Sequence, residues 1–148
     1  MPVRTAQFIE DSVITIRNLL RDNLTDPITR SGDEQFIMTQ YPTRAVKYPI
    51  ITVRCRPLDM TSLGNRSEAM DATLIFEVQV WARKEKEKDN LVQAVLDQLR
   101  DEQFTATTGT VANGLYDFAF RSSSMVDEEG IEGLRRAILE VSYRVILE

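Results

Sequence analysis

A strand that leads into a helix, between Ala72 and Leu99, is the feature that most constrains how this chain can fold. In Ala72–Arg83, apolar residues alternate with residues such as Glu77 and Gln79, a period of two that is typical of a half-buried β-strand. After it, Asp89 can cap a helix whose apolar residues recur at three- and four-residue spacing. The apolar positions are Leu74, Phe76, Val78 and Val80 in the strand and Leu91, Val92, Val95, Leu96 and Leu99 in the helix. Because a helix with one apolar face must cover another apolar surface, this stretch predicts a helix packed on a sheet.

Upstream of this unit, the pattern predicts one helix, two strands and a long loop. The helix covers Thr5–Asn23, where apolar residues again follow helical spacing. A short apolar run at Phe36–Gln40 indicates an edge strand, and Ile50–Arg56 alternates as a strand that Pro57 stops. No period persists from Leu58 to Asp71, so this segment is predicted to be a loop between two antiparallel strands.

Downstream, two further strands complete the predicted sheet. Leu115–Phe120 places Tyr116, Phe118 and Phe120 on one face. Leu134–Leu147 has apolar residues that fit either a helix or a strand, but six alternate positions with Val, Ile and Tyr favour the strand. The predicted fold is therefore α+β, a mainly antiparallel sheet with two helices packed on it in the order α-β-β-β-α-β-β, within a single domain covering 1–148.

The composition describes an acidic chain with ordinary apolar content. Its 148 residues are 43% hydrophobic and carry a net charge of −5, enough chain to bury a core without a metal or a disulfide. No apolar run has the length of a membrane span or the form of a signal peptide, so we expect folding in a cytoplasm and no membrane partner. The negative charge argues against gripping a phosphate backbone. With no histidine and a single cysteine, Cys55, we expect no enzyme, no cofactor and no metal site.

Several segments carry residues that could do chemistry, and each has a simpler interpretation. Cys55 lies on an apolar strand face with no histidine to activate it, which favours a core role. Asp127–Glu129 with Glu132 lacks the ligand spacing of a calcium loop and favours a solvated acidic loop. Lys84–Lys88 alternates in charge, which favours a solvated turn over a nucleic-acid contact. Ser122–Ser124 has no partner base.

Apolar residues outside the predicted core indicate where another subunit could bind. Four of them lie in the predicted Leu58–Asp71 loop, which we expect to be poorly ordered in the free subunit and ordered on assembly. Trp81 falls on the polar side of its strand, so either another part of the chain or another subunit covers it. The candidate assembly interface consists of Leu58, Met60, Leu63, Met70 and Trp81.

The order of these elements resembles the tail-terminator, or tail-completion, family of long-tailed phages and archaeal viruses. The resemblance covers most of the chain and rests on the first helix, the hairpin that runs into a helix over Ala72–Leu99, and the alternating closing segment Leu134–Leu147. No signature motif is involved. The resemblance implies a small α/β subunit that assembles into a ring, typically of six copies, which caps the tail tube and joins it to the head connector.

The partners that the resemblance implies are further copies of the chain, the tail tube protein and the head connector or stopper protein. DNA would pass through the lumen without specific binding, and the protein would lie in the tail or neck of a virion assembled in the host cytoplasm. A close alternative is another head–tail connector component, such as a stopper or minor capsid protein. More distant alternatives are a small-molecule-binding α/β domain and a divergent enzyme, for which catalytic residues clustered in a cleft would be the sign.

Overall fold

The computed structural model describes residues 8–30, 34–41, 47–63, 69–127 and 133–147. Within these ranges the chain forms two α-helices and one five-stranded sheet, which confirms the predicted α+β class and element order. No helix of the described part is long and apolar enough to cross a membrane. The elements are α1 (Phe8–Asn23), β1 (Ile37–Met38), β2 (Ile50–Ser62), β3 (Met70–Ala82), α2 (Glu85–Asp101), a 3-10 turn (Val111–Asn113), β4 (Tyr116–Asp127) and β5 (Arg135–Leu147).

The sheet has the strand order β1-β2-β3-β5-β4. Strands β2, β3, β5 and β4 are each antiparallel to their neighbours, while the two-residue β1 runs parallel to β2. β3 and β5 pair along their whole lengths, from Met70 opposite Leu147 to Ala82 opposite Arg135. β3 and β5, the two strands with the most regular alternation in the sequence, therefore lie inside the sheet, where each is hydrogen-bonded to a neighbouring strand on both sides.

Both helices cover the same face of the sheet. α1 packs on β1 and β2, and α2 packs on β3 and β5. The predicted apolar side of β3 is fully buried beneath them, and the alternate residues of β5, such as Val141 and Tyr143, complete this core. We call the side opposite the helices the open face. It carries mostly polar and charged residues, including Arg54, Glu77 and Glu140.

The hairpin formed by β2 and β3 is much longer than the sequence predicted. β2 continues through Pro57 to Ser62, with a β-bulge between Pro57 and Asp59. The predicted long loop over Leu58–Asp71 is therefore wrong. Proline is tolerated here because β1 pairs with β2 only at Ile51 and Thr52, so the missing N–H falls on an edge strand. Because Leu58–Ser62 and Met70–Asp71 are strand, the expected disorder in the free subunit loses its basis at these residues, while 64–68 lie outside the described residues.

The start of α2 and the length of β4 also differ from the sequence prediction. α2 begins one turn before Asp89, with Lys84 at the N-cap and acidic residues in the first turn, where the helix dipole favours them. Lys88 is buried and its Nζ lies 2.6 Å from Glu85 Oε1, so the predicted solvated turn at Lys84–Lys88 is wrong. β4 runs on to Asp127, well beyond Phe120, where the predicted strand ends.

Candidate assembly interface

The distal half of β2 brings together three residues of the predicted interface. Leu58, Met60 and Leu63 are each between 40% and 53% exposed. The bulge leaves Leu58 without a cross-strand partner, whereas Met60 lies opposite Ala72 and Leu63 continues the hairpin by donating its N–H to the Ala69 carbonyl at 3.0 Å. These three exposed residues lie along the margin of the sheet, and we call them the β2 apolar edge.

The other two predicted interface residues lie elsewhere. Met70 begins β3 opposite Ser62 and packs, partly buried, against the main core. Trp81 lies opposite Ile50 at the far end of β3, roughly 36 Å along the strand at 3.3 Å per residue. The structure therefore divides the predicted interface between two ends of the sheet.

Trp81 is covered mainly by its own chain. Its side chain is 9% exposed and belongs to a small apolar cluster with Ile50 and Leu134. The Arg136 guanidinium carbon lies 4.8 Å from the Trp81 ring centroid, and the Tyr41 ring packs against it at the same distance. This environment favours the first of the two interpretations of Trp81, coverage by another part of the chain.

An ion-pair network ties the distal end of the sheet together. Arg144 on β5 donates to both carboxylate oxygens of Asp71 on β3, with Nε–O distances of 2.8 Å, and its guanidinium lies 3.6 Å from Asp117 on β4. The hydrogen bond from Arg144 holds the pKa of Asp71 below its usual range. Three strands are thereby joined at the level where the β2 apolar edge begins.

A second set of exposed apolar residues, on the two sides of β4, was missed by the sequence analysis. On β4, Tyr116, Phe120 and Met125 are each between 40% and 54% exposed. Bulges between Tyr116 and Ala119 and between Phe120 and Ser122 shift the register, so the expectation of one aromatic face is wrong. Phe118 alone of the three aromatics packs against Tyr143, with ring centroids 5.5 Å apart. The apolar residues Met125 and Val126, which follow three serines, were the sequence signal that the predicted strand continues beyond Phe120.

The residues that could have carried chemistry lie in the core or along the strands of the sheet, as far as they fall within the described residues. Cys55 packs against the main core, and burial raises the pKa of its thiol to about 12. Ser122–Ser124 lies on β4, opposite β5. Asp127 ends β4, while Glu128, Glu129 and Glu132 lie outside the described residues. Within the described ranges, no three acidic, cysteine or histidine side chains are placed to hold a metal ion.

Comparison with known proteins gives a likeness in fold. No family model matches the sequence, and no curated protein matches it. Among solved structures, a chain of the "virion of native gene transfer agent (GTA) particle" matches with a TM-score of 0.55 and 16% sequence identity. The match covers 75% of this chain and 78% of that chain. This chain thus has the fold of a chain found in a virion particle.

Proposed function

We propose that this chain is a structural virion protein that forms a ring at the end of a tail tube and joins the tube to the head connector. The observation that carries the proposal is the fold likeness to a chain of a gene transfer agent virion. The order of elements that resembles tail terminators is present in the folded chain, with β3 running into α2 and two long closing strands. The likeness concerns the fold, and the tail-end role is our inference from it.

The surface of the chain fits assembly with other copies and with other proteins. Both margins of the sheet carry exposed apolar residues: the β2 apolar edge on one side, and Tyr116, Phe120 and Met125 of β4 on the other. Exposed apolar residues that cluster at a margin are typical of interaction surfaces. Two different apolar surfaces on one subunit favour head-to-tail contacts between copies. Such contacts close into a ring when the rotation between neighbours divides a full turn.

Charge and thiol chemistry support a passive structural role. The net charge of −5 would let DNA pass through a lumen without being held, because phosphate binding needs clustered cations. The Cys55 thiol is mostly protonated at neutral pH because its pKa is raised, and a protonated thiol is a poor nucleophile. We therefore propose a non-catalytic adaptor with no cofactor.

The test mixes the purified chain, carrying a gold label, with isolated tail tubes of its own virus and, separately, with tail-less heads that carry the connector, and images both mixtures by electron microscopy. Labelled rings at one tube end would support the proposal. Label only on the connector side would favour another connector component, and label nowhere on tubes or connectors would overturn the proposal. Leu63→Asp should weaken ring formation, because the β2 apolar edge is one of the two surfaces proposed to meet between neighbouring copies. Ile9→Asp, at a residue of α1 that is 37% exposed, is the matched control.

A further inference from the structure

Two long strand edges have no partner within the described part of the chain. β4 closes one side of the sheet, so its outer edge is unpaired from Tyr116 to Asp127. On the other side, β1 pairs with β2 only at Ile51 and Thr52, which leaves the outer edge of β2 without a neighbouring strand from Val53 to Thr61 within the described residues. A row of unpaired N–H and C=O groups is a template for another strand.

The directions of these two strands allow one to continue the sheet onto the other. β2, β3, β5 and β4 alternate in direction, so β2 and β4 run opposite ways. If a second copy is placed side by side in the same orientation, its β2 meets β4 in antiparallel fashion. The alternation of the sheet then continues from copy to copy, and a closed ring forms when the rotation between neighbours divides a full turn.

Charges on the open face favour this pairing over self-pairing of the β2 edge. Arg54 and Arg56 are exposed on β2, and no carboxylate of the described residues lies within ion-pair distance of either. A two-fold β2–β2 contact centred on Cys55 would set Arg54 opposite Arg56 on the open face. Like charges directly opposite each other destabilise a strand pair.

Along β4, the open face offers space and negative charge to those arginines. Four directly opposed residues form one row across the open face: Arg54 on β2, Glu77 on β3, Glu140 on β5 and Ser122 on β4. Arg54 and Ser122 therefore lie at the same level on the two margins of the sheet. The Ser122 hydroxyl donates to Glu140 at 3.3 Å. The small serine leaves room for a neighbour's arginine to reach Glu140. Arg121, the cation of β4, donates to Ser142 of its own sheet at 2.9 Å.

On the helix side of the sheet, the same comparison of opposed residues brings apolar side chains of the two copies together. Phe120, Val141, Phe76 and Cys55 form one row across the sheet. An unstaggered neighbour therefore sets the exposed Phe120 ring against Cys55 and Pro57 of β2. Burying half-exposed apolar side chains from both margins supplies a favourable term that hydrogen bonding alone would not.

We propose that the outer edge of β4 pairs antiparallel with the outer edge of β2 from a second copy of the chain, so that one sheet runs through neighbouring subunits. The inference rests on the proposed ring, and it names the interface by which the ring closes. The contact is heterologous, with one β4 and one β2 per interface, as a closed ring of identical subunits requires.

Cysteine crosslinking separates this interface from the alternatives. In a Cys55→Ala background, one variant carries Arg54→Cys and another Ser122→Cys, two exposed open-face positions of the same row. A short bismaleimide should give covalent dimers in the mixture and none with either variant alone. The chain that carries both substitutions should give a ladder that ends at the ring size. Asn90→Cys, exposed on α2, is the control that should not crosslink.

Each remaining result has one meaning. Crosslinks of either single variant with itself would show a two-fold contact and overturn the inference. Rings seen by electron microscopy without the Arg54→Cys to Ser122→Cys crosslink would overturn the inference and leave the proposed function standing. A chain that stays monomeric and uncrosslinked at millimolar concentration, and when mixed with tail tubes, would overturn both.

A second pair of variants tests the apolar part of the interface. Phe120→Asp should abolish the ladder in the chain with both cysteines. Phe104→Asp, at an aromatic residue that is 79% exposed but lies outside both margins, should leave the ladder unchanged. Equal ladders from the two variants would contradict the role of Phe120, provided that the fluorescence of the buried Trp81 shows both chains folded.

Discussion

Replacing Val141 with Asp tests the packing of the central sheet. Val141 is fully buried near the middle of β5, opposite Phe76 on β3 and Phe120 on β4. Neighbouring core residues such as Leu139 and Tyr143 offer no cation to a carboxylate. The substitution therefore places a polar, ionisable group where the chain provides apolar contacts.

The expected cost follows from two terms. Losing a buried valine side chain removes about 1.5 kcal/mol of transfer free energy. Burying a carboxyl group without a partner costs about 2–7 kcal/mol even when the group stays protonated. The total of about 3.5–8.5 kcal/mol is comparable with the whole stability of an ordinary domain, about 5–15 kcal/mol. We expect Val141→Asp to be largely unfolded, or to lose at least about 2 M of its urea midpoint at a typical slope of about 2 kcal/mol per M.

The assay is urea unfolding followed by the fluorescence of Trp81, which is the sole tryptophan and is buried in the folded chain. Ile146→Asp is the matched control, since Ile146 lies on the same strand but is 44% exposed. The control should stay within about 0.5 kcal/mol of the parent chain, as surface substitutions usually do. A Val141→Asp variant with an unchanged midpoint would refute this placement of β5.

Three further predictions concern single groups of the described structure. Arg136→Ala should destabilise the chain by about 0.5–2 kcal/mol and shift Trp81 emission, because it removes the cation that lies 4.8 Å from the indole centroid; an unchanged spectrum would argue against that contact. Cys55 should react with a disulfide reagent at pH 8 far more slowly in the native chain than in urea, because burial raises its pKa to about 12; equal rates would contradict its burial. Because the folded-state pKa of Asp71 lies below its unfolded value, its contribution to stability is present above the unfolded pKa and is lost as the pH falls through the folded value; Asp71→Asn should flatten this acid limb, and an identical pH profile would remove the Asp71–Arg144 pair as its cause.

The sequence was sufficient to predict the elements whose apolar pattern is regular. β3 and β5 alternate without a break because one side of each strand lies under the helices and the other forms the open face. The same regularity made α1 and the body of α2 predictable. For these segments the local period and the tertiary environment agree, so the pattern alone selects strand or helix.

The margins of the sheet were harder to predict because local signals oppose the observed structure there. Pro57 and the charged residues around it are ordinary stop signals, yet pairing with β3 carries β2 onward to Ser62. The three serines after Phe120 have low strand propensity, yet β5 holds them in the sheet. Tertiary pairing overrides propensity at both margins. For that reason the exposure of Tyr116, Phe120 and Met125 along β4 was not predicted.

A reconstruction of the head–tail joint from intact virions by cryo-electron microscopy tests the central claim most directly. We predict a closed ring of density at the tube end, into which copies of the five-stranded sheet fit with α1 and α2 on one face. In that ring, β4 of each subunit should lie beside β2 of the next. A joint and a tube end with no density that accommodates this fold would contradict the account.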